Sequence, residues 1–428
     1  MIKYIYLFVI PLVFLFSGCA SHEQNLAKNV KSFEDEDRLA IFALYAKTQG
    51  DANSTINLFE ILYNRSGKKE YRNEEMIMMI QAHQNERALS KIEHYKKDLE
   101  EDEIDVELER FRIISLLELK SYDEAKTLAL ELVEYTKAEQ EYQQVASIYM
   151  IKGKPESALR YLQSAYAINY NEKILNKMAI VLYVNLHKKA EAISNLETHI
   201  LIHGCSKTIC LRLASFYSEE NNVDGMLRVY LRLYENDNKK EYAQSIIKLY
   251  NYKKDTISLI QFLEKSGSDD ALLLQMYINT KNYDKVVSLG DTLYERQGNT
   301  YYLAQSAIFE YEGAKDKNTP AMVESVMTKL KTVVSENDDA MYLNYLGYLL
   351  IDHEIDVKEG MRYVKQALEH EKESPYYLDS LAWGYYKQGK CTKALKLMRK
   401  VQKGLDVKDA EVTSHIKQII KCIKKGKR

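Results

Sequence analysis

The chain has 428 residues, a net charge of −2 and 46% hydrophobic residues, which excludes a disordered chain and singles out no charged class of partner. Glycine (16) and proline (4) are both scarce, so helices joined by short polar loops are expected, with few turns that need special backbone angles. Tyrosine is abundant (34) beside a single tryptophan, and the phenol rings are expected to fill helix interfaces with their hydroxyls reaching solvent.

In chain order, Met1-Ile2-Lys3 gives a positive start and Tyr4 to Phe16 an apolar run of 13 residues. That is the length of a signal-peptide core and too short to cross a bilayer comfortably. No later window has 18 apolar residues in a row. Phe16-Ser17-Gly18-Cys19 resembles the lipobox of bacterial lipoproteins, with Phe16 where Leu is usual. The alternative is an ordinary signal peptide that happens to end near a cysteine. The resemblance implies a signal peptide over 1–18, cleavage before Cys19 and a covalent lipid on that residue. Each buried CH₂ contributes ~0.8 kcal/mol and stable anchoring needs two chains, which a triacylated Cys19 exceeds. Ala20 follows in place of the Asp that marks inner-membrane retention in many lipoproteins. The implied location is therefore the outer membrane, lipid-anchored on its periplasmic face, with 19–33 as a flexible tether.

From there the sequence repeats. Tyr149, Tyr183 and Tyr217 stand 34 residues apart, as do Ala158, Ala192 and Met226, and Leu162, Leu196 and Tyr230. Three columns sharing one period mark a repeat array. The stretch from Pro375 resembles a tetratricopeptide repeat (TPR), a 34-residue pair of antiparallel helices. Leu378, Leu381, Ala382 and Tyr385 take the signature places of helix A, Gly389 takes the turn, and Ala394, Met398 and Val401 take those of helix B. Leu346, Gly347, Val364 and Ala367 repeat the pattern one unit earlier. The resemblance implies an all-α fold: a TPR-like helical-hairpin solenoid, a right-handed superhelix of about eleven hairpins over 34–408, clearest at 139–239 and 340–406. The small residues let helices approach closely, and each pair gains its core by stacking on its neighbours. A longer loop is expected at 314–319, before a helix starting near Pro320. A final amphipathic helix within 409–428 would cap the last face.

Charge is uneven. From Lys387 onward fourteen Lys and Arg face three acids (Asp406, Asp409 and Glu411), a local net of +11, so the remainder carries −13 of the chain's −2. A solvated basic tail is one reading. An anionic partner, an acidic protein surface or phospholipid headgroups, is the other.

No GxSxG, HExxH, phosphate-cradling glycine loop or plausible SxxK is present, and no enzyme, cofactor or small-molecule substrate is expected. Beyond Cys19 the cysteines number four. In the repeat frame Cys205 ends one hairpin and Cys210 opens the next helix, close enough to bridge. A cap running parallel to the last helix A would bring Cys422 beside Cys391. That bridge would close a loop of ~30 residues, contributing ~2–4 kcal/mol if unstrained. Small buried hydrophobes or reduced thiols remain the alternative. His199 and His203 lie on one helical face near Cys205 and Cys210, but the set matches no familiar ligand pattern, and no metal is expected.

TPR proteins typically hold peptides or helices in the groove lined by helix A. Carried onto this sequence, the resemblance implies Asn344, Tyr348, Trp383, Tyr386 and Lys387 as groove contacts, with Trp383 a natural anchor; packing between helices is the alternative. The expected function is a membrane-anchored periplasmic scaffold for protein–protein contacts in an envelope complex, with envelope proteins as partners and no nucleic acid. A non-catalytic activator of a cell-wall enzyme is the second reading, and a cysteine-containing helical-repeat hydrolase the third.

Overall fold

The computed structural model describes residues 31–97, 99–100, 103–404 and 409–425. The signal peptide, Cys19 and most of the tether lie outside them. The described residues form helices and turns without a strand, and no described helix is long and apolar enough to cross a membrane.

Two compact units divide the chain between Glu220 and Asn221. The first holds α1 (Glu36–Thr48), α2 (Ala52–Ser66), α3 (Lys69–Gln81), α4 (Asn85–Lys96), α5 (Val106–Glu118), α6 (Tyr122–Thr136), α7 (Glu139–Ile151), α8 (Pro155–Asn169), α9 (Glu172–Ile180), α10 (Lys189–His203) and α11 (Lys207–Glu219). A π-helical turn, Val181–Asn185, extends α9. The second holds α12 (Val223–Asp237), α13 (Lys240–Lys253), α14 (Thr256–Ser266), α15 (Asp270–Asn279), α16 (Tyr283–Gln297), α17 (Thr300–Gly313), α18 (Pro320–Glu336), α19 (Ala340–Asp352), α20 (Val357–His370), α21 (Pro375–Lys387), α22 (Cys391–Gly404) and α23 (Ala410–Lys425). Odd-numbered helices are A helices and even-numbered ones B helices, giving eleven repeats in chain order before α23. The all-α, TPR-like helical-hairpin class is therefore the observed one, with a last helix as cap. The unit boundary falls in the turn inside the sixth repeat.

Sequence chemistry starts the helices. Asp51, Asp105, Asn222, Asp255, Asp269 and Asp356 each accept a backbone N–H of the helix they precede, satisfying a donor the first turn leaves free. Pro155, Pro320 and Pro375 open α8, α18 and α21, where no N–H is needed.

The turns correct one expectation. Scarce glycine does not mean ordinary backbone angles: His83, Lys120, His187, Asn221, Lys254, Lys281 and Glu354 all adopt positive φ, each in the turn from an A helix to its B helix. Gly50, Gly153 and Gly389 hold the same place in other repeats. A left-handed residue lets the chain reverse within three residues, and a side chain there costs about 1–2 kcal/mol. The expected longer loop lies between Gly313 and Pro320, and that turn alone among the described A-to-B turns has no positive-φ residue.

The fourth residue of each B helix marks where it meets its A helix. In the first unit this is Thr55, Ala88, Ala125, Ala158 and Ala192, all fully buried. In the second it is Met226, Leu259, Val286 and Val323 before the column narrows to Gly360 and Ala394. At Gly360 a Cβ would stand 2.6 Å from the Gly347 carbonyl oxygen, so glycine on both helices permits the close approach of α19 and α20.

Tyrosine behaves differently from expectation. The rings pack at interfaces, but many hydroxyls end on carboxylates rather than in solvent: Tyr95 donates to Glu75 at 2.6 Å, Tyr183 to Glu220 at 2.6 Å, Tyr277 to Glu264 at 2.6 Å and Tyr345 to Glu312 at 3.0 Å. Burial and the acceptor's charge push these phenols above their ordinary range, so they stay protonated donors.

Candidate functional site

The residues expected to line a groove lie on α19 and α21. Burial of the apolar faces of α20 and α22 beneath these helices fixes their orientation, with Met361 and Val364 packed near Leu381 and Trp383. The stripe Val412, Ile416, Ile419 and Ile423 of α23 packs on Ala382, Ala394, Met398 and Val401. The last helix thus covers the apolar surface that a twelfth repeat would otherwise take.

This placement decides the fate of Trp383. Its ring is 4% exposed. It stacks on His415 of α23 with centroids 4.0 Å apart and on Tyr386 at 4.6 Å. The indole N–H donates to Asp352 Oδ1 at 2.8 Å. His415, itself buried, meets Asp379 through Nδ1 at 2.9 Å. The Tyr348 hydroxyl donates to Glu411 of α23. Burial, then the hydrogen bond to Glu411, pushes that phenol well above its ordinary range. Tyr386 reaches Gln418 only at 3.5 Å, a weak contact. Lys387 Nζ donates to the Asp352 carbonyl at 3.0 Å and to Glu354 at 2.9 Å, lying 5.3 Å over the Trp383 ring. Asn344 keeps a buried Oδ1 with no hydrogen-bond partner.

The groove expectation is corrected at Trp383, its expected anchor. Trp383 is an internal packing residue and the Tyr348 hydroxyl is taken by Glu411 of the last helix, while the half-buried Tyr386 stacks on Trp383 and meets that helix only weakly. The reason is tertiary: α23 folds back across the A helices and supplies His415 and Glu411 as their occupants.

The sulfurs of Cys391 and Cys422 are bonded, with Cα atoms 6.2 Å apart, and tie the end of α23 to the start of α22. Cys205 and Cys210 are also bonded, with Cα atoms 5.6 Å apart, across the turn from α10 to α11. Their cysteines are thereby taken from any ligand set with His199 and His203. His199 is buried, 2.7 Å from the Tyr166 hydroxyl and 3.5 Å from Glu172, and its ring lies tilted against His203 with centroids 4.7 Å apart. Ser206 donates to Glu172 at 2.5 Å, so the hydroxyl meets the carboxylate and not the imidazole. Among the described residues no cluster of His, Cys, Asp and Glu could hold a metal ion.

Two features of the first unit escaped sequence reading. One is a polar ladder between successive repeats: Arg72 donates to Asp105 at 2.9 Å, Arg110 to Glu141 at 2.6 Å, Lys177 to Gln143 at 2.8 Å and Arg212 to Asn176 at 2.7 Å. Arg72 is only 2% exposed. Burial raises the Asp105 carboxyl, but the Arg72 hydrogen bond and charge outweigh it and hold it below its ordinary value. The ladder's signal was present in sequence as polar pairs about one period apart. The other is an apolar row at the ends of successive B helices: Tyr135, Ile168 and Leu201 stand 33 residues apart and are all exposed, with Leu201 at 79% and neighbouring Ile202 at 67%. Its signal was large apolar residues outside the core columns at the fourteenth place of successive B helices, Tyr135, Ile168 and Ile202, with Leu201 beside the last.

The fold and these surfaces define a TPR-like helical-repeat protein. No family model matches the chain. Over 104 residues, 24% of this chain, it is 33% identical to TPR repeat-containing protein PA4667 of Pseudomonas aeruginosa, and that match spans 17% of the relative's length. Among solved structures it is similar to Naa15/Naa10 bound to HypK-THB, with TM-score 0.36, 16% identity, and 89% of this chain and 60% of that one covered. It is also similar to the Cut9–Hcn1 hetero-tetramer of APC/C, with TM-score 0.36, 12% identity, and 92% and 91% covered.

Proposed function

We propose that the protein is a membrane-anchored periplasmic scaffold that holds other envelope proteins, without a chemical step or cofactor of its own. Cys19 supplies the anchor through its lipid. The exposed row Tyr135, Ile168, Leu201 and Ile202 carries the reading: apolar side chains repeated along one edge of an array offer a contact surface rather than a core. Two disulfides fit an oxidising compartment such as the periplasm.

The test is a crosslinking pulldown from intact cells with three forms: wild type, Cys19→Ala, and the pair Leu201→Asp with Ile202→Asp. A defined set of envelope proteins is expected with wild type. It should be lost with Cys19→Ala and reduced at least about ten-fold by the Asp pair. Capture unchanged by the Asp pair removes the row from the proposal. Capture of nothing by wild type overturns the scaffold.

A further inference from the structure

The last two helices present cations without acids. On α22, Lys393, Lys396, Arg399, Lys400 and Lys403 occupy the solvent-facing stripe opposite Ala394, Met398 and Val401. On α23, Lys417, Lys421 and Lys424 do the same opposite Ile416, Ile419 and Ile423. α22 contains no acidic residue. The one acid within α23, Glu411, accepts from Tyr348. None of the eight cations has an acidic partner within ion-pair distance among the described residues. Elsewhere cations are interspersed with acids: Lys47, Lys152, Lys253 and Lys329 each meet a carboxylate, and cations outside ion pairs, such as Lys248 and Lys331, share their helices with Glu241 and Glu324.

We infer that this lysine face is a docking surface for an anionic phospholipid bilayer, whose headgroups it meets electrostatically while the apolar side of each helix stays in the protein core. Charge complementarity supplies the attraction. Side-chain chemistry selects the bilayer over other polyanions. Seven of the eight cations are lysines, compact and strongly hydrated charges suited to a diffuse headgroup layer, whereas planar bidentate recognition of carboxylates favours arginine. Protein–protein interfaces are depleted in lysine and enriched in aromatic residues and arginine. Single-stranded nucleic acid is held by aromatic stacking beside the charge, and neither stripe carries an aromatic residue. The inference stands whether or not Cys19 is lipidated.

The test floats the full chain carrying Cys19→Ala, so that no acyl chain can carry binding, on two kinds of vesicle: pure phosphatidylcholine, and phosphatidylcholine with a quarter phosphatidylglycerol. Binding is expected to the anionic vesicles only and to fall as salt is raised from about 0.05 to 0.5 M. Each cation near an anionic surface is worth about five-fold in partitioning, so changing all eight to Gln lowers binding by at least about a hundred-fold. Changing the seven lysines to Arg retains it, which separates lost charge from lost fold. Equal binding to neutral vesicles overturns the inference, because the apolar run at 4–16 then carries the attachment. Absence of vesicle binding, with retention on immobilised acidic protein or single-stranded DNA, overturns it in favour of that partner.

Discussion

The first unit and the middle of the second, α13 to α18, solve one packing problem differently. From α2 to α10 the fourth residue of each B helix is Thr or Ala, and the repeats are linked by buried or half-buried polar pairs about one period apart. Across α14, α16 and α18 the same place holds Leu259, Val286 and Val323, while α14 and α15 shorten to 11 and 10 residues. The polar contacts nearby run between successive B helices, Lys285 of α16 to Glu264 of α14 and Lys329 of α18 to Asp291 of α16, whereas the first unit's ladder joins successive A helices. Successive places from Thr55 to Ala192 lie 33, 37, 33 and 34 residues apart, whereas Leu259, Val286 and Val323 lie 27 and 37 apart, so the spacing varies more where the contact residue is larger. At α19 to α22 Gly347, Gly360, Ala382 and Ala394 restore small residues at the A-to-B contact, and in the middle region Gly290 of α16 gives a close approach to α17 instead, where a Cβ would stand 2.9 Å from the Tyr302 carbonyl oxygen.

The comparison breaks most strongly at Leu259. Leu259→Ala places the first unit's residue on the second unit's backbone, where no neighbour closes in. A loss of about 2–5 kcal/mol is expected, read as hydrogen exchange accelerated in α13 to α15 with the first unit unchanged. Arg72→Ala tests the ladder. It leaves the buried Asp105 carboxylate with only the half-exposed Lys69 and the Leu108 N–H, and should cost about 3 kcal/mol at neutral pH. The Asp105 carboxyl is held below its ordinary value of 3.8 in the folded state. Its contribution is therefore present above about pH 3.8 and lost as pH falls through the lower folded value. The gap in denaturant midpoint between wild type and Arg72→Ala should shrink correspondingly below pH 3.8.

Ala158→Leu is the reverse exchange. It forces α7 and α8 apart and should cost about 1–3 kcal/mol in thermal unfolding, less than its counterpart at Leu259 because neighbouring repeats shift to accept it. The smallest effect is a gain. Lys120 sits at φ 64° with its side chain exposed, and Lys120→Gly should stabilise by about 0.5–1 kcal/mol in the same measurement. A loss there would mean that the side chain makes a contact worth more than the backbone strain.

Much of the fold was legible because a repeat writes its packing into local spacing. Ala158, Ala192 and Leu196 are buried where their columns placed them, and Met226, the bulkier continuation, is half-buried. The candidate site was legible only in part. Asn344, Tyr348, Trp383, Tyr386 and Lys387 do share the A-helix side of the last repeats, but spacing could not say that Trp383 would be stacked beneath His415, 32 residues further on. The Cys205–Cys210 and Cys391–Cys422 pairs were nameable from the repeat frame, whereas the polar ladder was missed because charged residues on a helix face ordinarily read as solvated.

The sequence by itself determined the helices, their number and the side each buries, because helical period, capping residues and a 34-residue repeat are properties of short stretches of chain. Tertiary structure decided which surfaces stay open. α23 could have projected into solvent or continued the array. Its apolar stripe instead found Ala382, Ala394 and Met398, so the aromatic face of the last repeats closed. The lysine stripes were left outside, because burying unpaired charge would have cost far more than leaving it in water.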